Sequence, residues 1–239
     1  MSQSRDDDPA GGPAGDAARG PGALSRFDAV LFDMDGTLVD TEHLWFGAGR
    51  DLMAELGLDL PDAALDELHG LDLDAALVLL TDRYGLRLSR EDYVARYLDA
   101  VEARVPGAAA RDGAGEWVAR VADAGLERAL VSNSPRRIVE ATLAPHGWAE
   151  HLGLRVTIED VAAGKPSPAS YLLAAERLGV SPDRCLVLED SLVGARAAVA
   201  AGAACVWVTF GEVDAAAARR VTPWVASDLR EAWAWVAPG

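Results

Sequence analysis

Four short clusters in this 239-residue chain hold the side chains best suited to chemistry: Asp33, Asp35, Gly36 and Thr37; Ser132, Asn133 and Ser134; Gly164, Lys165 and Pro166; and Glu189, Asp190 and Ser191. Two members are singular. Lys165 is the only lysine among 22 basic residues, and Asn133 is the only asparagine. A lysine that survives where Arg has replaced it elsewhere marks a place for a compact ammonium on a slim stem. It is equally what sampling leaves behind. Four carboxylates gathered in one place would repel one another unless a cation sat among them. Hard oxygen ligands, few in number and with room for water, suit Mg²⁺.

The elements around these clusters decide whether they meet. Phe27 to Phe32 is an apolar run that reads as a buried strand ending in the turn Asp33-Met34-Asp35-Gly36. From Glu42 to Val105 the periodicity is helical, with Leu44, Trp45, Ala48, Leu52, Met53 and Leu56 recurring at three- and four-residue spacing. Further helical stretches are expected at 62–69, 73–84 and 89–104. After Arg111 strands and helices alternate: strands at 126–131, 154–158, 185–188 and 204–209, helices at 113–125, from Pro135, at 167–178 and at 192–201. Strands spaced by helices of this length imply a parallel sheet covered on both faces. The expected fold is therefore a Rossmann-like α/β core, residues 26–41 and 109–239, with an all-helical insertion at 42–108. Residues 1–25, rich in Gly, Pro, Ala and Asp, read as a disordered tail. In an open parallel sheet, ligands bind beyond the carboxyl ends of the strands, and all four clusters fall just after expected strands.

Taken singly, each cluster has a plainer reading. An Asp-x-Asp-Gly is a common acidic turn. Ser132-Asn133 caps a helix starting near Pro135, and Glu189-Asp190 complements the dipole of the helix that follows. In this order and at strand ends, the four together resemble the four motifs of the haloacid dehalogenase superfamily. Residues 33–42, DMDGTLVDTE, match its DxDGT signature, followed by the run ending in Ser132, the lone Lys165, and Glu189-Asp190 in LEDSLVGARAAVAAG. The match runs from about 27 to 210, and the helical insertion lies where one subfamily, including sugar-phosphate phosphatases and β-phosphoglucomutase, carries an inserted helical cap.

The resemblance implies roles. Asp33 would be the nucleophile that forms an aspartyl-phosphate, and Asp35 the acid and then base. Mg²⁺ would be held by the side chains of Asp33 and Asp190 and by the backbone carbonyl of Asp35, with Glu189 acting through water or from behind. Ser132 and the backbone N–H of Asn133 would bind the phosphoryl oxygens, and Lys165 would bridge nucleophile and phosphate. The implied activity is Mg²⁺-dependent hydrolysis of a small phosphate monoester, of a sugar or polyol. A dehalogenase would need neither the metal nor Asp35. A mutase must grip a second phosphate with basic cap side chains, whereas the loop 69–74 is acidic; Arg83, Arg87 or another cap Arg could supply that grip. A non-catalytic phospho-ligand-binding protein would be expected to have lost Asp33. The acidic loop points to a polyhydroxylated leaving group that is not itself strongly anionic.

Other features bound the rest. The formal charge of -16 argues against nucleic-acid partners and anionic membranes. No uncharged run exceeds Ala197–Gly211, too short for a membrane span. Cys185 and Cys205, each beside apolar residues, fit two buried thiols in a reducing compartment, and a cytoplasmic location is expected. The four His residues, 43, 69, 146 and 151, lack metal-ligand spacing and read as surface or packing residues. Arg136 and Arg137 read as a solvated helix face. Thr41 and Glu42, where core passes into cap, are candidates for a hinge or a substrate contact.

Overall fold

In the computed structural model, residues 20–237 are described, except 59, 62, 63, 65, 66, 69, 70 and 72. Eight strands are found among them: β1 (Ala29–Phe32), β2 (Val39–Asp40), β3 (Ala109–Ala110), β4 (Glu127–Val131), β5 (Leu154–Val156), β6 (Cys185–Glu189), β7 (Ala204–Val208) and β8 (Trp224–Ala226). Six form one sheet in the order β5-β4-β1-β6-β7-β8, every pairing parallel. β1 is central, with Leu31 level with Ala129 on one side and Val187 on the other.

The two faces of β1 explain why its sequence is a continuous apolar run. Val30 and Phe32 join a cluster with Trp117, Val121, Leu229 and Val236, from helices Ala114–Asp123 and Leu229–Val236. Ala29 and Leu31 join the opposite cluster with Tyr171, Ala175, Ala195 and Ala198, from helices Ala169–Leu178 and Leu192–Ala200. A strand covered on both faces cannot alternate apolar with polar residues. Each large side chain so buried contributes about 1.5–3 kcal/mol. The expected Rossmann-like core is the observed one.

The insertion is helical among its described residues, with helices Glu42–Glu55, Leu73–Tyr84 and Arg90–Arg104. Ser89 caps the last of these by accepting a hydrogen bond from the Asp92 N–H at 3.0 Å, and Glu91 and Asp92 favour its positive end. Leu52, Met53, Leu80, Leu86 and Tyr93 form the insertion's own core. The two strands that leave and re-enter the α/β core, β2 and β3, pair antiparallel. Neither is expected from the sequence, nor is β8, because two- and three-residue strands carry no periodicity; the helix Leu229–Val236, also unexpected, was legible, since Leu229, Ala232, Trp233 and Val236 recur at helical spacing. Most of the expected helix 62–69 lies outside the described residues, as do His69 and Asp72 of the acidic loop.

Of the tail expected over 1–25, residues 1–19 also lie outside the described residues. Residues 20–25 pack instead. Leu24 is 6% exposed within the main core cluster, and Gly20 lies against Trp235. One large apolar residue in that Gly/Pro-rich stretch is enough to anchor it. No helix among the described residues is long and apolar enough to cross a membrane. Cys185 and Cys205 are unpaired and buried.

Candidate active site

The chain leaves β1, β4 and β6 at the same edge of the sheet. β1 lies between β4 and β6, and the chain runs outward from β4 to β5 on one side and from β6 to β7 on the other, which opens a crevice at the strand ends. Asp33 follows β1, and its N–H is fixed to the Leu188 carbonyl of β6 at 3.0 Å. Ser132 follows β4, its N–H bonded to the Val156 carbonyl of β5. Glu189 closes β6, and Asp190 follows.

Lys165 joins these groups. Its Nζ donates to Asp33 Oδ1 at 2.5 Å, to Glu189 Oε1 at 2.6 Å and to the Val131 carbonyl at 2.8 Å. All three ammonium donors are thus directed at oxygens, a geometry that a planar guanidinium cannot reproduce. The side chain is buried, which disfavours the charged form, but the carboxylates of Asp33 and Glu189 outweigh burial and hold the ammonium above the usual lysine range. Asn133 holds the loop that delivers it. Its Oδ1 accepts from the Lys165 N–H at 2.8 Å, and its Nδ2 donates to the Lys165 carbonyl at 3.1 Å. The two singular residues of the sequence therefore bind each other, and the Asn133 side chain is engaged with main chain.

The carboxylates fall into two environments. Asp33, Glu189 and Asp190 cluster, each offering an oxygen within 4.8 Å of the others. Burial, then the neighbouring Glu189, raises the Asp33 carboxyl well above its ordinary range. Burial and Glu189 likewise push Asp190 up to about 7. Lys165 compensates only part of this charge. The set is oxygen-only, too negative for its surroundings and deficient in positive charge, which fits a hard divalent cation. Glu189 is saturated from within. Its Oε1 accepts from Lys165 and the Tyr171 hydroxyl, and its Oε2 from the N–H groups of Asp190 and Ser191 and from Ser191 Oγ. Its place is behind Asp33 and Asp190. Asp190 Oδ1 accepts from Thr37 Oγ1 at 2.8 Å.

Asp35 is turned away from that cluster. Its Oδ2 accepts from Ser132 Oγ at 3.0 Å and Ser134 Oγ at 2.8 Å, and its Oδ1 from Thr41 Oγ1 at 2.8 Å and Trp45 Nε1 at 3.3 Å. Gly36 makes the divergence of Asp33 and Asp35 feasible. It has φ +81°, and a Cβ on it would lie 2.0 Å from Asp190 Oδ2. Both the turn and the approach of Asp190 require glycine.

The six residues singled out as Asp33, Asp35, Ser132, Asn133, Lys165 and Asp190 thus converge, with Glu189 beneath them. Ser134, Thr37, Trp45 and Tyr171 join the site beyond the residues expected from the sequence. The first two stand inside recognised clusters and were legible there, whereas Trp45 and Tyr171 come from helices whose side-chain aim the sequence does not encode. Thr41 touches Asp35. Arg137 bonds Asp99 and Glu102 of the insertion, and Arg136 bonds Asp160, so neither is held for an anion. His146 stacks on Trp148 at 5.1 Å and His43 is exposed beside Asp40, as packing and surface residues.

Above these groups lies a cavity of about 760 Å³, walled by Asp33, Asp35, Ser132 and Lys165 below and by Trp45, Tyr97 and other residues of the helical insertion above.

The haloacid dehalogenase-like hydrolase family model matches residues 27–202. Hexitol phosphatase B of Escherichia coli is 36% identical over 179 residues, covering 72% of this chain and 79% of its own. The fructose-1-phosphate phosphatase YqaB of Escherichia coli is 32% identical over 185 residues, covering 74% of this chain and 94% of its own. Among solved structures, a HAD family hydrolase from Deinococcus radiodurans with bound phosphate and sodium is 32% identical, covers 90% of this chain and 99% of that one, and superposes with a TM-score of 0.68.

Proposed function

From the premise that the chain belongs to the haloacid dehalogenase-like hydrolases, we propose that it is a Mg²⁺-dependent phosphatase that hydrolyses a small sugar or polyol phosphate monoester through an aspartyl-phosphate. The observation that carries this reading is the separation of its two leading carboxylates. Asp33 is buried against Lys165, while Asp35 is held by four donors on the cavity side. Two carboxylates on one turn can do different work when their surroundings differ this much. The phosphatase names of its relatives support the same reading.

Asp33 attacks phosphorus, and Lys165 neutralises charge between that carboxylate and the phosphoryl group. Ser132 Oγ and the Asn133 N–H hold phosphoryl oxygens, Ser132 exchanging its bond to Asp35 for one to the substrate. Asp35 passes a proton to the departing oxygen and then takes one from the water that hydrolyses the acyl phosphate. Asp33, Asp190 and the Asp35 carbonyl would hold Mg²⁺, which supplies screening of the carboxylates and neutralises developing charge on phosphorus. The helical insertion acts as the cap that keeps water from the cavity.

Release of inorganic phosphate from hexose, pentose and polyol phosphates, with and without Mg²⁺, tests this. Release by wild type and none by Asp33→Ala is expected. Isomerisation of glucose 1-phosphate with little release would replace the phosphatase by a mutase, and ligand-dependent thermal stabilisation without turnover would replace it by a binding protein.

A further inference from the structure

We infer that the leaving group of the substrate is electrically neutral and presents an apolar face to the helical insertion. This rests on the phosphatase reading and narrows it.

Among the described residues, the upper wall of the cavity is mostly carbon, with Glu42 and Arg90 as its charged members. Helix Arg90–Arg104 sets Val94, Tyr97 and Leu98 along the cavity, facing Trp45 and Phe46 of helix Glu42–Glu55. Such i, i+3 and i+4 spacing puts side chains on one helix face. The rings of Trp45 and Tyr97 lie 6.0 Å apart at 34°. Their polar atoms are already engaged, Trp45 Nε1 with Asp35 and the Tyr97 hydroxyl with the Trp45 carbonyl at 3.0 Å. What the two residues offer the cavity is ring surface, which binds flat apolar groups.

Charge points the same way. Among the described residues, Arg90 is the one Lys or Arg that the insertion contributes to the cavity wall, and its guanidinium is committed through Nε and Nη2 to both oxygens of Asp74. Arg83, Arg96 and Arg104 are paired with Glu67, Glu55 and Asp51, Arg50 lies over the Phe46 ring beside an adjoining hollow, and neither Arg50 nor Arg87 is on the wall of this cavity. No Lys or Arg occurs between Arg50 and Arg83. Glu42 adds a carboxylate to the wall. A second phosphate or a carboxylate on the leaving group would therefore meet carbon, the Glu42 carboxylate and one guanidinium already shared with Asp74. The volume of about 760 Å³ leaves room for a group larger than a three-carbon polyol.

The test is kcat/KM for phosphate release by the wild-type protein in Mg²⁺ with two pairs of compounds. For 2-phenylethyl phosphate against glycerol 1-phosphate we expect a ratio of about tenfold or more, the scale on which apolar pockets discriminate. For glucose 6-phosphate against glucose 1,6-bisphosphate we expect roughly a hundredfold, from unpaired charge. In Leu98→Arg, at a partly exposed position on the cavity wall, the second ratio should shrink. A lower ratio in either wild-type pair overturns the inference and leaves the phosphatase reading intact. No release from any of the four compounds overturns that reading itself.

Discussion

Gly194 and Glu189 share one small space: a Cβ built on the glycine would lie 1.7 Å from Glu189 Oε1. That oxygen accepts from Lys165 and Tyr171. The first turn of helix Leu192–Ala200 therefore presses on the carboxylate that positions the ammonium beside Asp33.

Gly194→Ala should consequently destabilise, although alanine is the better helix former. Displacing Glu189 should cost about 2 kcal/mol or more and most of the activity, read by urea unfolding and phosphate release. Gly153→Ala, where a Cβ meets nothing within 4 Å, should stay within about 0.5 kcal/mol of wild type. Equal stability of the two variants would refute the account of Glu189.

Lys165→Arg should be nearly as damaging as Lys165→Ala. Three oxygens converge on one nitrogen within 2.8 Å, and a guanidinium cannot occupy that point. A loss of about a hundredfold or more in kcat/KM is expected for both. Retention of more than a tenth of wild-type activity by the arginine variant would show that charge alone suffices.

Asp190 predicts a pH-dependent stability. Burial and Glu189 raise its folded pKa to about 7, above its unfolded value, so the protonated form favours folding. That contribution is fully present below the unfolded pKa, near 4, and is lost as pH rises through 7. In chelator, Asp190→Asn should match wild type at pH 4 and exceed it at pH 8, by a margin on the order of a few kcal/mol. Mg²⁺ at pH 8 should stabilise wild type and close or reverse the gap. Thermal melts at the two pH values check this, and a variant less stable than wild type at pH 8 in chelator would contradict it.

Ser134 tests the placement of Asp35. Ser134→Ala removes a hydroxyl 2.8 Å from Asp35 Oδ2 and should lower kcat roughly tenfold with little change in thermal midpoint. An unchanged kcat would mean that this contact does not orient the acid.

The convergence of residues 33, 35, 132, 165, 189 and 190 was legible because strand ends of a parallel sheet meet at one edge, and order along the chain suffices to place them. The Asn133–Lys165 pair was legible only as two singular residues, since nothing in a sequence says that they bond. Trp45 at Asp35 and Tyr171 at Glu189 were not legible, because a helix pattern gives the buried face but not the atom it reaches. Leu24 shows the converse, a single apolar residue tethering a stretch whose composition reads as tail.

The central claim is that Asp33 becomes covalently phosphorylated while Asp35 does not. Acid-quenching the enzyme during turnover in Mg²⁺, reducing with borohydride and mapping peptides by mass spectrometry tests it, since reduction converts an aspartyl-phosphate to homoserine. We expect homoserine at position 33 alone, and none in the absence of substrate. Homoserine at position 35 instead, or steady phosphate release by Asp33→Asn, would contradict the account.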